Sequence, residues 1–394
     1  MLNKKNILLG ITGSIAAYKS IDIVKGLIKE GAAVTVVMTD VACRFVSPVV
    51  LESESGRRVH TDLFEDYFSH INLAKESQLF IIAPATANTI NKLACGIADN
   101  LLTTLWLAYK GPVLIAPAMN WRMYENPLVK KNIGELKKYG VTFIGPEYGS
   151  LACGEEGIGR MAEPEDIVEA AKSALTPKDM SGHKILVTAG PTREALDPVR
   201  FISNRSSGKM GYAIAKAAIR RGADVTLVSG PSSQQPPKDV SFISVESASE
   251  MRNEVLRHFS NSTSVIMAAA VSDFSPISQS KTKIKKADPM TINLQKTSDI
   301  LAELGRKKGK RLLIGFAAET GKNIKKAKDK LKEKNLDLIV LNDVTAKGAG
   351  FDSDTNIVTI INKKGEVKDY PLMKKEEVAN ILLDWLLKLS HNRN

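Results

Sequence analysis

Short apolar runs that alternate with helical segments constrain the fold of this chain more than any other feature of its sequence. The run "NILLGIT" precedes "SIAAYKSIDIVKGLIKEG", whose apolar residues recur with helical spacing and which ends at a glycine. The runs "AVTVVMT", "LFIIAPA", "PVLIAPAM" and "VTFIGP" follow in turn. Strands separated by such helices predict βαβ units and a parallel sheet that is covered on both faces.

The same alternation restarts in the second half of the chain. The stretch "LTPKDMSGHK" combines proline, glycine and charge, which is typical of a linker. New apolar runs follow, "NIVTIINKKGEVKDYP" predicts a hairpin that turns at Lys364-Gly365, and the last segment predicts an amphipathic helix. We therefore predict an α/β protein of two consecutive doubly wound, Rossmann-like domains with mainly parallel sheets. Their predicted bounds are 1–177 and 184–394, joined by a linker at 178–183.

The positive charge is concentrated in one part of the chain. The formal net charge is +12, and residues 281–334 hold 17 Lys and Arg against 6 Asp and Glu, which is 17 − 6 = +11. Such a patch favours a polyanionic ligand, either a nucleic acid or a small phosphate-rich molecule. Because "GKNIKKAKDKLKEKNLD" has helical spacing, many of its lysines are expected on a solvated helix face. No nucleic-acid-binding module is recognisable, which speaks against a nucleic-acid partner.

No membrane segment is expected. The apolar runs are much shorter than the roughly 20 residues of a membrane-spanning helix. The basic and then apolar N-terminus is interpreted as a first strand rather than as a signal peptide. We expect a cytoplasmic protein that does not associate with a membrane.

The three cysteines are Cys43, Cys95 and Cys153, and their spacing predicts neither a disulfide framework nor a zinc site. Cys43 and Cys95 have apolar neighbours and are expected to be small buried residues. Cys153 differs, because glycines surround it and leave the backbone free to present the sulfur. From the residues alone it stays open whether this thiol packs or reacts.

Ligands of doubly wound sheets bind beyond the carboxyl ends of the strands, so the loops that leave the strands are the places to search. Gly13-Ser14 can form a phosphate cradle or simply cap a helix. Thr86 and Asn88 follow another strand, and Asn120 follows the next. His70 is either structural or functional. A G-x-G-x-x-G fingerprint and a Walker A motif are both missing, which disfavours a nicotinamide-dependent oxidoreductase and a P-loop protein.

Five motifs, taken in their order along the chain, nevertheless resemble the flavin-dependent cysteine decarboxylases that act on phosphopantothenoylcysteine. They are "GITGSIAAYK", "SHINLAK", "APATANTINKLACGIADNLL", "PAMNWRMYENP" and "ACGEEGIGRMAEP". The resemblance implies FMN as cofactor, bound by Gly13, Ser14, Thr39, Thr86 and Asn88. It also implies that His70 is the active-site base, that Asn120 binds the substrate carboxylate, and that Cys153 is the essential cysteine.

The family chemistry suits these residue types. Oxidation of the thiol-bearing carbon to a thioaldehyde allows the new C=S group to accept the electron pair that carbon dioxide leaves behind. The resulting enethiol is reduced again and needs a proton at its other carbon. A thiol with a pKa of about 8.5 is a reasonable donor at neutral pH, and the resemblance assigns this task to Cys153. The surrounding glycines are interpreted as a flap over the substrate.

The second half is similar to the phosphopantothenate–cysteine ligases through "TAGPTRE", "DPVRFISN", "SSGKMG", "AAAVSDF", "KIKK" and "GFAAET". In that family the carboxylate of 4′-phosphopantothenate attacks the α-phosphorus of CTP, and the amine of cysteine then displaces CMP from the acyl-cytidylate. Asn204 matches the residue that holds this intermediate, and Lys283 matches the catalytic lysine. At 297–299 the chain has Thr-Ser-Asp where the family has Asn-Pro-Asp. The positions that match the CTP site are Asp273, Lys283, Ser298, Asp299, Ile300, Leu301, Phe316, Lys330 and Lys334.

Both halves in one chain resemble the bacterial bifunctional family of coenzyme A biosynthesis. The resemblance implies Mg²⁺ as a companion of CTP, although the metal ligands are not readable. It also implies a homo-oligomer in which trimeric decarboxylase units gather into a dodecamer and ligase units form dimers. The alternatives are a regulatory flavoprotein without catalysis, which the presence of His70, Asn120 and Cys153 disfavours, and a basic nucleic-acid-binding protein.

Overall fold

The chain forms two compact units, Met1–Thr176 and Pro177–Asn394, in a computed structural model. Each unit has its own sheet and its own apolar core, and each is described by itself. The structure describes residues 2–64, 67–285, 291–319, 321, 323–343, 345, 348–350 and 352–391.

The first unit is a five-stranded parallel sheet with strand order β2-β1-β3-β4-β5. A separate antiparallel hairpin, β6–β7, follows it. The strands are β1 Asn6–Ile11, β2 Ala33–Met38, β3 Leu79–Ala85, β4 Val113–Pro117, β5 Thr142–Phe143, β6 Glu147–Ser150 and β7 Glu156–Arg160. The helices are α1 Ser20–Lys29, α2 Pro48–Ser55, α3 Ser69–Glu76, α4 Ala87–Cys95, α5 Leu101–Ala108, α6 Trp121–Glu125, α7 Pro127–Lys138 and α8 Pro164–Ala174, with 3-10 turns at Ile15–Lys19 and Ala42–Arg44.

Helices cover both faces of this sheet. All seven residues of β3 are buried, and successive side chains alternate between the two faces, so that Ile81 packs with α1, α2 and α8 while Phe80 packs with α4, α5 and α7. Strands buried on both faces explain why the sequence shows continuous apolar runs rather than alternation. The first unit is therefore doubly wound.

The second unit is built on an eight-stranded sheet with strand order β12-β11-β8-β13-β16-β17-β18-β19. Its pairs are parallel from β12 to β17, and β18 and β19 add as an antiparallel edge. The strands are β8 Lys184–Ala189, β9 Arg193–Ala195, β10 Phe201–Ser203, β11 Asp224–Ser229, β12 Ser241–Ser244, β13 Ser264–Met267, β14 Phe274–Pro276, β15 Leu294–Lys296, β16 Leu312–Glu319, β17 Leu338–Asp343, β18 Thr355–Asn362 and β19 Val367–Lys374. The helices are α9 Lys209–Arg220, α10 Ala248–Phe259, α11 Ile300–Arg306, α12 Ile324–Glu333 and α13 Lys375–His391.

This sheet too is covered on both faces. Val187 packs with α9 and α13, whereas its neighbour Leu186 packs with α10 and α11. The small hairpins β9–β10 and β14–β15 lie outside the main sheet. The predicted fold class, α/β with mainly parallel sheets, is confirmed in both units.

Two local expectations differ from the structure. Cys43 is only half-buried. Cys95 is exposed, because it is the last residue of α4 and the buried positions of that helix are Ala87, Thr89, Ile90 and Leu93. The segment 178–183 packs on the second unit: Met180 is fully buried, and its N–H donates to the carbonyl of Arg221 at 2.9 Å. The bounds of the two catalytic domains stay a prediction.

Among the described residues, no helix is both long and apolar enough to cross a membrane.

Two candidate active sites

The first candidate site is a cavity of about 570 Å³ where the carboxyl ends of β1 to β4 meet. All five residues predicted to hold FMN line it, and they come from three different loops. They are Gly13, Ser14, Thr39, Thr86 and Asn88. This is the edge at which a sheet of this strand order binds its ligand.

Side-chain hydrogen bonds order the loops that line this cavity. The hydroxyl oxygens of Ser14 and Thr86 accept backbone N–H groups at the start of the next helical segment, each at 3.3 Å. The Thr12 hydroxyl donates to the carbonyl of Pro84 at 2.8 Å and accepts the N–H of Thr86 at 3.0 Å, so it ties two of the loops together. A Cβ at Gly13 would lie 2.3 Å from Cγ1 of Val41, which leaves room only for glycine.

The lining suits a flavin. Val41, Ala118, Met119 and Met123 provide apolar walls of the kind that a flat ring system needs, and hydroxyl and amide side chains lie beside them. Such polar groups are the partners that a ribityl chain and a phosphate require. The residues present therefore fit the cofactor that the sequence resemblance implies.

The second feature of this unit is the β6–β7 hairpin, which carries Cys153 in its exposed turn. Gly154 adopts a φ of +82°, which glycine tolerates without strain. A Cβ at Gly159 would lie 2.1 Å from the carbonyl oxygen of Met119, and the N–H of Met119 donates to the carbonyl of Gly159 at 3.0 Å. A Cβ at Gly157 would lie 2.7 Å from Cβ and Cγ of Trp121. The hairpin therefore lies directly against the loop after β4.

This close approach brings Asn120 and Cys153 together. The Nδ2 group of Asn120 lies 3.3 Å from Sγ of Cys153, while its Oδ1 atom accepts the N–H of Arg122 at 2.9 Å. Nδ2 is also 3.3 Å from Oε2 of Glu155. The residue predicted to bind the substrate carboxylate and the cysteine predicted to donate a proton thus lie next to each other.

Glu155 is a residue of this cluster that sequence reasoning missed. Hydrogen bonds from the indole of Trp121 and from the amide of Asn120, together with the nearby Arg122 guanidinium, lower the pKa of Glu155 below its ordinary value. The only signal in the sequence was its position two residues after Cys153. Acidic residues are common in turns, so that signal was too weak to use.

His70 is the third residue of this unit that was predicted to take part in the reaction. It lies on α3, and no hydrogen bond between described residues joins it to Asn120 or Cys153. Its Nδ1 atom is buried and has no hydrogen-bond partner among the described residues. Asn120, Cys153 and His70 are not among the residues that line the 570 Å³ cavity.

The second candidate site is a cavity of about 870 Å³ in the second unit. Asn204 and eight of the nine residues predicted for the CTP site line it. These eight are Asp273, Ser298, Asp299, Ile300, Leu301, Phe316, Lys330 and Lys334. Residues far apart in sequence thus meet in one cavity, because strands of the main sheet, the β14–β15 hairpin, the loop after β10 and the neighbouring helices all contribute to it.

Ion pairs hold the two cavity lysines of α12 and its C-terminal end. Lys330 Nζ lies 2.7 Å from Oε1 of Glu319, and Lys334 Nζ lies 2.7 Å from Oδ2 of Asp299. Burial acts to raise the pKa of Asp299, but the hydrogen bonds from Lys334 and from the N–H of Ala302, together with the nearby positive charges, outweigh it, and the net shift is downward. Both lysines therefore present fixed positive charge to the cavity.

Asn204 is held at the loop after β13. Its Nδ2 group donates to the carbonyls of Ala270 and Val271, at 3.1 and 3.2 Å. Lys283, in contrast, is exposed and is not among the residues that line the cavity. The segment around it is anchored, since the N–H of Ile284 donates to Oδ2 of Asp197 at 3.1 Å. Its sequence neighbour Lys286, the last residue of "KIKK", lies outside the described residues.

Sequence reasoning also missed several polar residues of the second cavity. Asn342 is the second-to-last residue of β17, and its Oδ1 atom is buried without a hydrogen-bond partner among the described residues. Lys375 begins α13, and burial, reinforced by the charge of Lys209, lowers its pKa to about 8. A search of strand ends would have found Asn342, but nothing in the pattern of α13 distinguished Lys375. Among the described residues, no three His, Cys, Asp or Glu side chains are grouped as a metal site.

Comparisons with known proteins agree with this division into two units. A family model described as flavoprotein matches residues 1–176, and one described as DNA/pantothenate metabolism flavoprotein C-terminal domain matches residues 180–389.

Relatives match the chain over nearly its full length. The coenzyme A biosynthesis bifunctional protein CoaBC of Bacillus subtilis (strain 168) is 50% identical, over 99% of this chain and 98% of its own. The protein of the same name from Vibrio cholerae is 44% identical, over 96% of this chain and 97% of its own. A crystal structure of the C-terminal domain of a CoaBC protein is 45% identical and covers 55% of this chain and 99% of its own, with a TM-score of 0.48.

Proposed function

Because this chain belongs to the family of coenzyme A biosynthesis bifunctional proteins, we propose that it makes 4′-phosphopantetheine from 4′-phosphopantothenate, cysteine and CTP. The second unit couples the acid to cysteine, and the first unit removes the carboxyl group from the product. The observation that carries the decarboxylase assignment is the 3.3 Å contact between Asn120 and Cys153, in the same unit as a cavity whose lining suits a flavin. Membership of this enzyme family does not favour a regulatory flavoprotein or a nucleic-acid-binding protein.

In the first unit the five residues Gly13, Ser14, Thr39, Thr86 and Asn88 hold FMN. When bound there, FMN supplies a two-electron acceptor for the carbon that bears the thiol and later returns those electrons. The hydroxyl groups and the N–H groups at the ends of β1 and β3 bind its phosphate and ribityl chain. The apolar walls exclude water from the reacting atoms.

Three side chains handle the substrate. His70 takes the proton of the substrate thiol, and Asn120 binds the carboxylate through its amide N–H. Loss of carbon dioxide leaves an enethiol, and Cys153 then donates its proton to the carbon that carried the carboxylate. The contact between Asn120 and Cys153 supports this assignment, because the proton is needed next to the carboxylate-binding amide.

The proposal also includes the homo-oligomer that the family resemblance implies, in which subunit borders complete the FMN site. Large apolar side chains that are exposed on the first unit are available for contacts between subunits. Ile15 is 62% exposed and Val49 is 69% exposed. The proposed assembly has trimeric decarboxylase units within a dodecamer, and dimeric ligase units.

In the second unit the positive side chains Lys330 and Lys334 bind the nucleotide together with Asp273, Phe316 and the segment 298–301. Asn204 holds the acyl-cytidylate, and Lys283 stabilises the charge that builds up as the α-phosphorus is attacked. Mg²⁺ would enter with CTP and would supply positive charge to its phosphates; it would need few protein ligands, because magnesium retains several waters. Lys283 is exposed, and the proposal requires it to move to the nucleotide.

A mass-spectrometric assay with 4′-phosphopantothenate, cysteine, CTP and Mg²⁺ tests both steps. We expect 4′-phosphopantothenoylcysteine and pyrophosphate first, followed by 4′-phosphopantetheine, from a yellow protein. No cysteine- and CTP-dependent release of pyrophosphate, together with a DNA affinity that falls steeply with salt, would favour the nucleic-acid alternative. Decarboxylation by a colourless, flavin-free preparation would contradict the role of FMN.

A further inference from the structure

Three consecutive side chains aim their N–H groups at one carboxylate on the β6–β7 hairpin. The indole N–H of Trp121 donates to Oε2 of Glu155 at 2.8 Å, and the amide of Asn120 lies 3.3 Å from the same oxygen. The guanidinium of Arg122 donates to Oε1 of Glu155 at 2.9 Å. Both carboxylate oxygens are therefore bound by donors from the end of the loop after β4 and the start of α6.

This donor set has the chemistry of a carboxylate receptor. It combines a positive guanidinium with two neutral N–H donors, and hydrogen bonds of this charge-assisted kind are stronger than neutral ones. The lowered pKa of Glu155 shows that the set favours the ionised form. One of the three donors, Asn120, is the residue proposed above to bind the carboxylate of the substrate.

The carboxylate of Glu155 is nevertheless easy to displace. Its side chain is 38% exposed and that of Arg122 is 69% exposed, so water reaches the contact. Ion pairs of this exposure contribute little to stability. Another carboxylate can therefore take over the same donors without breaking a buried interaction.

We propose that Asn120, Trp121 and Arg122 form one carboxylate-binding site, which Glu155 fills in the substrate-free chain and which the carboxylate of the substrate takes over. The inference rests on the proposed decarboxylation and names what that site recognises. This proposal assigns substrate binding to Trp121 and Arg122. Glu155 is a positioning residue that competes with the substrate.

The exchange also acts on the proton donor. Cys153 is two residues from Glu155 in the same turn, with its Sγ atom 3.9 Å from Oε2 of that carboxylate and 3.3 Å from the amide of Asn120. A substrate carboxylate that engages Asn120 and expels Glu155 removes both contacts at once. The thiol is then released from the cluster only when a carboxylate-bearing ligand is bound, which couples substrate recognition to presentation of the proton.

Two thiol-free ligands that differ only in the carboxylate provide the test. One is 4′-phosphopantothenoylserine and the other is the corresponding ethanolamide, and neither has a thiol to be oxidised. Their dissociation constants are measured by calorimetric titration of the full-length, flavin-loaded protein. If Glu155 fills the site nine-tenths of the time, Glu155→Ala lowers the dissociation constant of the serine compound about tenfold, because the competitor is gone. The ethanolamide, which lacks the carboxylate, binds with unchanged affinity.

Two further variants separate competition from a structural role. Glu155→Gln keeps the size of the side chain and removes its charge. It therefore also lowers the dissociation constant of the serine compound, by a smaller factor than Glu155→Ala does. Adding Arg122→Gln to Glu155→Ala weakens binding of the serine compound several-fold and leaves the ethanolamide unaffected. Glu156→Gln alters an exposed neighbour in the same hairpin and is the matched control, expected to leave both affinities at the wild-type level.

Each outcome of these titrations decides a different claim. If Glu155→Ala weakens both ligands, or changes both alike, Glu155 only maintains the hairpin and the inference is wrong. Unchanged affinity for the serine compound in both Glu155 variants also overturns it. A wild-type protein that binds neither compound contradicts this inference and the proposed function together. Binding as expected without release of carbon dioxide from the thiol substrate refutes the decarboxylation alone.

Discussion

Cys153 is a residue whose local conformation allows chemistry that a packed cysteine could not perform. It sits in an exposed turn next to a glycine with positive φ, and an amide N–H lies 3.3 Å from its sulfur. Cys95 is exposed as well, but it ends a helix, and no hydrogen bond of its side chain is found among the described residues. Exposure alone therefore does not distinguish the two thiols, whereas the neighbouring Asn120 does.

Cys153→Ser removes the proposed proton donor while keeping its size nearly unchanged. A hydroxyl is a far weaker acid than a thiol, so we expect the reaction to stall after loss of carbon dioxide, with an oxidised enethiol accumulating and ligation proceeding normally. Formation of 4′-phosphopantetheine should fall at least about a hundredfold. Mass spectrometry of the products measures this, and Cys95→Ser is the control. Unimpaired product formation by Cys153→Ser would refute the proton-donor role.

Lys283→Gln removes a positive charge and keeps a side chain of similar length. If Lys283 stabilises the charge that develops at the α-phosphorus, pyrophosphate release should slow by roughly 10²-fold or more. Decarboxylation of supplied 4′-phosphopantothenoylcysteine should continue at the wild-type rate. Lys281→Gln, two residues away and equally exposed, is the comparison. Equal ligase rates in all three proteins would remove Lys283 from the mechanism.

The β6–β7 hairpin is held in position by its close contact with the loop after β4. The contact of Gly159 with Met119 is between backbone atoms, so no side-chain rotation can relieve a clash there. The hairpin thus holds Cys153 and Glu155 over Asn120 only while position 159 has no side chain.

Gly159→Ala places a methyl group where only 2.1 Å separates it from the carbonyl oxygen of Met119. Overpacking of this kind costs about 1–3 kcal/mol, so the hairpin should detach or shift. We expect decarboxylation to fall strongly, with ligase activity unchanged. Gly149→Ala, in the paired strand, meets only Arg160 side-chain atoms at 3.6 Å and should behave like the wild type. Decarboxylation at the wild-type rate in Gly159→Ala would show that the hairpin contact is not needed.

Helix α12 is tied to β16 by a carboxylate between two lysines. Glu319 binds Lys326 at 2.8 Å and Lys330 at 2.7 Å. These hydrogen bonds, Lys326 first and Lys330 next, lower the pKa of Glu319 below its ordinary value of 4.5. A carboxyl whose folded-state pKa is lowered stabilises the protein above its unfolded-state pKa, and this stabilisation is lost as the pH falls through the folded value.

Glu319→Gln should therefore destabilise the second unit by roughly 1 kcal/mol at pH 7. The difference from the wild type should persist down to about pH 4.5 and shrink below it. Thermal unfolding at a series of pH values measures this, with Glu333→Gln, an exposed residue of the same helix, as the control. A difference in stability between Glu319→Gln and the wild type that grows as the pH falls would contradict this expectation.

Across the whole molecule, each of the two units has apolar cores of its own. The first unit has apolar clusters on both faces of its sheet, and so does the second. A single chain of 394 residues is long enough for two such domains. Each unit therefore has what it needs to fold by itself.

Separate expression of residues 1–176 and 177–394 tests this directly. We expect the first fragment to be yellow and to decarboxylate 4′-phosphopantothenoylcysteine, and the second to form that compound with CTP. Absorbance, unfolding curves and the two assays decide the outcome. An insoluble or colourless first fragment, beside an active full chain, would show that the units depend on each other.

Much of the fold and part of each site follow from local pattern. The alternation of apolar runs and helical periods predicted two parallel sheets, because buried strands and amphipathic helices leave different periodicities in a sequence. Residues such as Ser14 and Thr86 follow strands, so the rule that strand carboxyl ends share an edge already grouped them. Asp299 was predicted only from the family resemblance. Family motifs added the chemistry that these residue types allow.

Other features depend on contacts between distant segments. That Glu155 meets Asn120, Trp121 and Arg122 could not be read from the sequence, because it results from a hairpin folding onto a loop some thirty residues earlier. The same holds for the exposure of Cys95 and for Lys283 lying away from the cavity lining. The sequence by itself determined which elements form and which residues follow the strands, since those depend on local periodicity. The tertiary structure alone decided which side chains face each other, since that depends on how closely two backbones can approach.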